Sequence, residues 1–211
     1  MQGLIEHGDR RTRRNLRNHG RTTTEGDEPE TGTNTLVLSP LSESKAMPCL
    51  NIDSYSFGET PIVIVAYNQS SKQIVNNWQD LEGILPINIG IVTAGELTRS
   101  ASLQFSTVDV KGEGITTVES EDLTGLGTAV SGYLSHWDNE TVKVCFHSLT
   151  PLVQSVGFKL AFRFLHVLVG RVQNTKAIAY YHLDPTAHNA ETVTSLQYLF
   201  DRSIGLDANR K

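Results

Sequence analysis

Cysteine is almost missing: the chain holds only Cys49 and Cys145, which give neither a disulfide framework nor a zinc-ligand spacing. Cys145 falls inside an apolar run, where a free thiol behaves as a small hydrophobe. No apolar stretch is long enough to cross a bilayer, and the N-terminus lacks the apolar segment of a secretory signal. Arg10-Arg11 and Arg13-Arg14 are followed by polar residues, unlike a twin-arginine signal, so a cytoplasmic protein is expected. Excess positive charge is also missing, with 18 Lys and Arg against 23 Asp and Glu. Neither nucleic acid nor an anionic membrane is therefore the default partner.

Residues 1–33 contain six arginines, then threonines and acidic residues, with too few apolar side chains to offset the entropy of ordering. A disordered polar leader is expected. Its RRTRR cluster reads either as a weak nucleic-acid or partner-binding arm or as a solvated leader. From residue 34 to 206 the chain reads as one domain, and residues 207–211 as a fraying tail.

Within the domain, short apolar runs alternate with amphipathic stretches. Strands are expected at Thr35–Leu38, Ile62–Tyr67, Ile87–Val92, Ile115–Val118, Val142–Phe146 and Lys176–Tyr181, with an edge strand at Ser203–Leu206. Residues Leu97 to Glu113, rich in Ser, Thr and Gly, read as a mobile excursion. Ile74, Trp78 and Leu81 recur at helical spacing behind a Ser70 or Ser71 cap, and Trp78 reads as a core anchor. Leu123, Leu126, Val130, Leu134 and Trp137 line a second helix that starts at Glu121 and Asp122. A third, Gly157–Gln173, has an expected buried face of Leu160, Ala161, Phe164, Leu165, Leu168 and Val172. Phe158, Phe162, Val167 and Val169 fall outside that face, so the helix needs cover on a further side, from the domain or from a second subunit. A last helix, Asn189–Asp201, carries Val193, Leu196 and Phe200. This alternation predicts an α/β, doubly wound, mostly parallel sheet flanked by helices.

Such sheets bind ligands at the carboxyl ends of their strands. After the run Val142–Phe146 come His147, Ser148, Leu149 and Thr150, small polar groups at that place. After the first strand, Ser39 to Ala46 has phosphate-loop spacing and keeps Lys45. Ser39 and Ser44 stand where glycines would let amides curl round phosphate, and Ala46 where a hydroxyl would hold Mg²⁺. Asn68 and Gln69 follow the second strand, and His182 and Asp184 the sixth.

These motifs resemble those of the RecA/KaiC/RadA branch of P-loop ATPases, whose Walker B strand ends in Asp-Ser-Leu-Thr. Within it the chain is most similar to haloarchaeal RecA-like proteins of unassigned activity. The resemblance implies a RecA-like sheet and a degenerate nucleotide site at Ser39, Ser42, Ser44, Lys45, Ala46, Asn68, Gln69, His147 and Ser148. It also implies assembly with itself or a protein partner. His147 replaces the Asp, and two amides replace the acidic residues that activate water; an amide holds water but cannot take its proton. The expectation is a pseudo-ATPase without a catalytic residue or cofactor, serving as a binding, scaffolding or regulatory protein. Two alternatives stand beside it: a weak ATP- and Mg²⁺-binding protein or ATPase that uses Lys45, and a metal-dependent hydrolase that uses His147, His182 and Asp184. Ser148 lacks the Gly-x-Ser-x-Gly elbow of a nucleophile.

Overall fold

In the computed structural model, residues 30–40, 60–82, 88–95 and 113–205 are described. Most of the leader, the stretch with Ser42, Ser44, Lys45 and Ala46, the excursion after Gly95 and the tail lie outside these residues. Seven strands form one sheet: β1 (Asn34–Leu38), β2 (Ile62–Tyr67), β3 (Ile89–Gly95), β4 (Glu113–Glu119), β5 (Lys143–Phe146), β6 (Ile178–Leu183) and β7 (Arg202–Gly205). Their order is β4-β3-β2-β5-β6-β1-β7, and every pairing is parallel. Five helices connect them: α1 (Ser71–Glu82), α2 (Leu123–His136), α3 (Leu149–Val156), α4 (Phe158–Gln173) and α5 (Ala190–Gln197).

The central strands β2, β5 and β6 are near-continuous apolar runs because both faces of the sheet are covered there. Alternate residues point to opposite sides. Val63, Val65, Val144, Phe146, Ala179 and Tyr181 face a core closed by α2, α3, α4 and α5. Ile62, Ile64, Ala66, Ile91, Cys145 and Tyr180 face the other side, where Ile74 and Trp78 of α1 pack. Cys145 is buried there but is disulfide-bonded, which corrects the expectation of a free thiol; Cys49 lies outside the described residues.

Local polar groups start the helices. Asp122 accepts from the Gly125 amide at 2.7 Å and Asn189 from the Thr192 amide at 2.8 Å. Ser70 and Gln73 exchange bonds reciprocally at the start of α1. Helix α3 is absent from the sequence expectation because Pro151 follows the strand-end polar residues. Pro151 instead occupies the first turn, where an amide has no intrahelical partner to lose. Gly157, at φ +80°, then separates α3 from α4 in a conformation that a side chain would strain.

The buried face of α4 also differs from expectation. Ala161, Leu165, Leu168, Val169 and Val172 are buried, whereas Leu160 is 51% exposed. The stripe is turned towards Val169, since α4 packs on the sheet with α2 beside it on the same face. Phe164 is half-buried against Gly127 of α2. β3 and β6 each run further toward their carboxyl ends than expected, so that His182 lies inside β6. α5 ends at Gln197, where tight turns through Leu199 and Phe200 lead into β7 at the sheet edge.

Gly90 of β3 and Gly114 of β4 are register partners, and together they open a slot for the Tyr133 ring of α2. A Cβ on Gly90 would lie 2.7 Å from the ring, and one on Gly114 would collide with the Tyr133 hydroxyl. Gly90→Ala or Gly114→Ala is therefore expected to cost about 1–3 kcal/mol by overpacking, read as a lower urea midpoint. If Tyr133→Ala removes the ring in the same chain, the glycine substitution should lose most of its effect.

Candidate functional site

The topology brings the ends of β1, β6, β5 and β2 side by side in that order. Ser39 continues β1: its amide donates to the Leu183 carbonyl at 3.2 Å, and its Oγ lies 2.7 Å from Nε2 of His182. The His147 amide donates to the Val65 carbonyl at 2.8 Å, which ties the end of β5 to β2. Ser39, His147, Ser148, His182 and Asp184 are all buried.

Burial sets the charge of this cluster. Desolvation, with a smaller contribution from the neighbouring His182, pushes His147 down to about 4, so its ring is neutral at pH 7. Desolvation also lowers His182, and it outweighs Ser39, the Asp184 carboxylate and the His147 backbone, which act in the opposite direction. Although the His147 backbone lies near, Nδ1 of His182 has no partner at hydrogen-bonding geometry. His188 is lowered by the same desolvation, and its Nε2 lies 3.2 Å from Thr150 Oγ1.

The remaining polar groups hold local structure. Ser148 caps α3 by accepting from the Thr150 amide at 3.3 Å. Asp184 Oδ1 accepts from the Thr186 amide at 2.8 Å and from the Thr186 hydroxyl at 2.7 Å, capping the 3-10 turn Pro185–Ala187. Its amide donates to Thr150 Oγ1 at 3.1 Å. His147 and His182 are thus neighbours, as expected. However, no three His, Cys, Asp or Glu side chains form a metal-holding group among the described residues. Oδ1 of Asp184 is engaged in its own cap.

Asn68 is exposed and left-handed at φ 56°, a conformation that Asn tolerates. With Gln69 it lines a cavity of about 1190 Å³ over the carboxyl ends of β2, β3 and β4 and beside α3. Glu119, Glu121 and Ser155 also line it. Sequence reading reached Glu121 only as a helix-start charge and passed over Glu119 and Ser155. Their position just past a strand end, or on a helix that follows one, was the available signal.

An all-parallel sheet with β6 inserted between β1 and β5, helices on both faces and polar groups gathered at its carboxyl edge defines an α/β fold consistent with that of RecA-like domains. The chain belongs to the family of unknown function DUF7504, which it matches over residues 32–206. Among solved structures it is similar to the Pyrococcus horikoshii OT3 protein PH0250, with a TM-score of 0.55 and 14% identity over 85% of this chain and 84% of that one. It is also similar to a prototypical ATPase from the type III secretion system of pathogenic bacteria, with a TM-score of 0.51 and 12% identity over 84% of this chain and 52% of that one. At these identities the likeness is one of fold. No curated protein matches the chain.

Proposed function

We propose that this chain is a pseudo-ATPase: a RecA/KaiC-like domain that serves as a cytoplasmic binding, scaffolding or regulatory protein and does not hydrolyse nucleotide. One observation carries the reading. The ends of β5 and β2, where the resemblance calls for carboxylates, hold a neutral buried imidazole, His147, and the amides of Asn68 and Gln69. Mg²⁺ prefers oxygen ligands, and an amide takes no proton from water. Asp184, the carboxylate beside this centre, accepts two hydrogen bonds from Thr186. A protein partner or a second copy fits the surface of α4, where Val167 is 72% and Leu160 51% exposed.

The test is calorimetric titration of the full chain with ATP and ADP, with and without Mg²⁺, alongside Lys45→Ala. No saturable binding at millimolar nucleotide is expected, and no difference between the two proteins. Saturable binding that is lost with Lys45→Ala would overturn the reading in favour of a weak ATP-binding protein.

A further inference from the structure

The cavity over β2, β3 and β4 is polar and, among the described residues, is lined by no cationic side chain. Its wall is made of amides, hydroxyls and two carboxylates, Glu119 and Glu121, with no Lys, Arg or His among the lining residues. The resulting field repels phosphate and favours a cation. The N-terminus of α1 also opens here and would favour the opposite sign, but its cap is closed on itself. Ser70 N donates to Gln73 Oε1 at 2.9 Å, and Gln73 N to Ser70 Oγ at 3.3 Å.

Two buried oxygens lack partners here, one on the lining residue Gln69 and one behind the wall, on Tyr67 beside Ser155 and Glu121. The Tyr67 hydroxyl belongs to a side chain only 3% exposed, feels both Ser155 and Glu121, and meets neither at hydrogen-bonding geometry. Oε1 of Gln69 is buried and without a partner as well. An unmet buried polar group costs about 1–3 kcal/mol, a cost that a ligand able to donate would relieve. A wall with surplus acceptors, negative charge and no cation among its described residues calls for a ligand with surplus donors and positive charge.

We propose that this cavity binds a small organic cation of the polyamine class. The Glu119 and Glu121 carboxylates hold its ammonium groups, and the Tyr67 and Gln69 oxygens accept hydrogen bonds from it. The site shares Asn68 and Gln69 with the strand-end positions of the nucleotide reading, but Glu119 and Glu121 belong to the cavity alone, so their substitution tests it apart from Lys45. It would give the proposed binding role a ligand class.

The experiment is calorimetric titration of the full chain with spermidine, and with sorbitol as an uncharged polyol. Saturable spermidine binding and no sorbitol binding are expected. The exposed pair Glu119→Gln/Glu121→Gln should weaken spermidine at least about tenfold, and Tyr67→Phe severalfold. Asp138→Asn/Glu140→Gln, at the opposite edge of the sheet, should leave it unchanged. Should Tyr67→Phe fail to fold, the half-buried Gln69→Ala takes its place. Absence of binding, equal binding of sorbitol, equal weakening by the Asp138/Glu140 pair, or full affinity in Tyr67→Phe would each overturn the proposal. Failure of the nucleotide reading would show instead in the ATP titration with Lys45→Ala, which leaves this wall untouched.

Discussion

Acidification from pH 7 to pH 4 is expected to remove about 3 kcal/mol of stability through His147 alone. The folded ring protonates at about 4 because it is buried beside a second histidine, whereas an unfolded histidine protonates at its ordinary value of 6.5. Between these limits the unfolded chain binds more protons, so stability is greatest above about pH 6.5. It falls as the pH drops and levels off below about 4. His182 shifts in the same direction and steepens the loss. Urea unfolding at pH 7 and at pH 4.5 measures it, with His147→Gln as the comparison. The variant should lose clearly less stability on acidification than the parent chain. Parallel losses in both proteins would show that the ring is charged or solvated in the fold. A charged His147 could neutralise phosphate at the end of β5, so the same result would also weaken the pseudo-ATPase reading.

The central strands were legible because each is an apolar run with few polar interruptions. Ile62–Tyr67 lies in the fold where its sequence places it, and the Leu126, Val130 and Leu134 stripe of α2 is buried as its spacing requires. Trp78, read as a core anchor, is fully buried. α3 was not legible, because a proline after polar residues signals a turn as readily as a first helical turn. Leu160 misled because ten apolar residues crowd around α4, and only the placement of the sheet and of α2 decides which of them face inward. For the site, the strand-end positions of Ser39, His147 and His182 were legible from the α/β pattern. Their chemistry was not. The Ser39–His182 bond joins residues 143 positions apart, and Gln69, Glu119 and Ser155 line one cavity only once β2, β4 and α3 are in place.

Replacing Trp78 by alanine is expected to cost about 3–5 kcal/mol, the range for truncating a large buried aromatic. Trp78 is fully buried on the sheet face where, among the described helices, only α1 contributes to the core. Ile74 is its fully buried companion there, and the strand residues Ile64, Ile91 and Cys145 form the surface beneath. With so few helical side chains on that face among the described residues, no described helix is placed to collapse into the space left by the indole. Trp78→Phe keeps an aromatic ring and should cost a fraction as much. Urea midpoints at pH 7 separate the two, and an alanine variant as stable as the parent would show that the indole is not a core anchor. The consequence reaches the site through the chain itself, because only Asn68, Gln69 and Ser70 join the end of β2 to the start of α1. If α1 loosens, the Gln69 wall of the cavity moves with it. Trp78→Ala should therefore weaken spermidine binding as well as stability, while Trp78→Phe holds most of both.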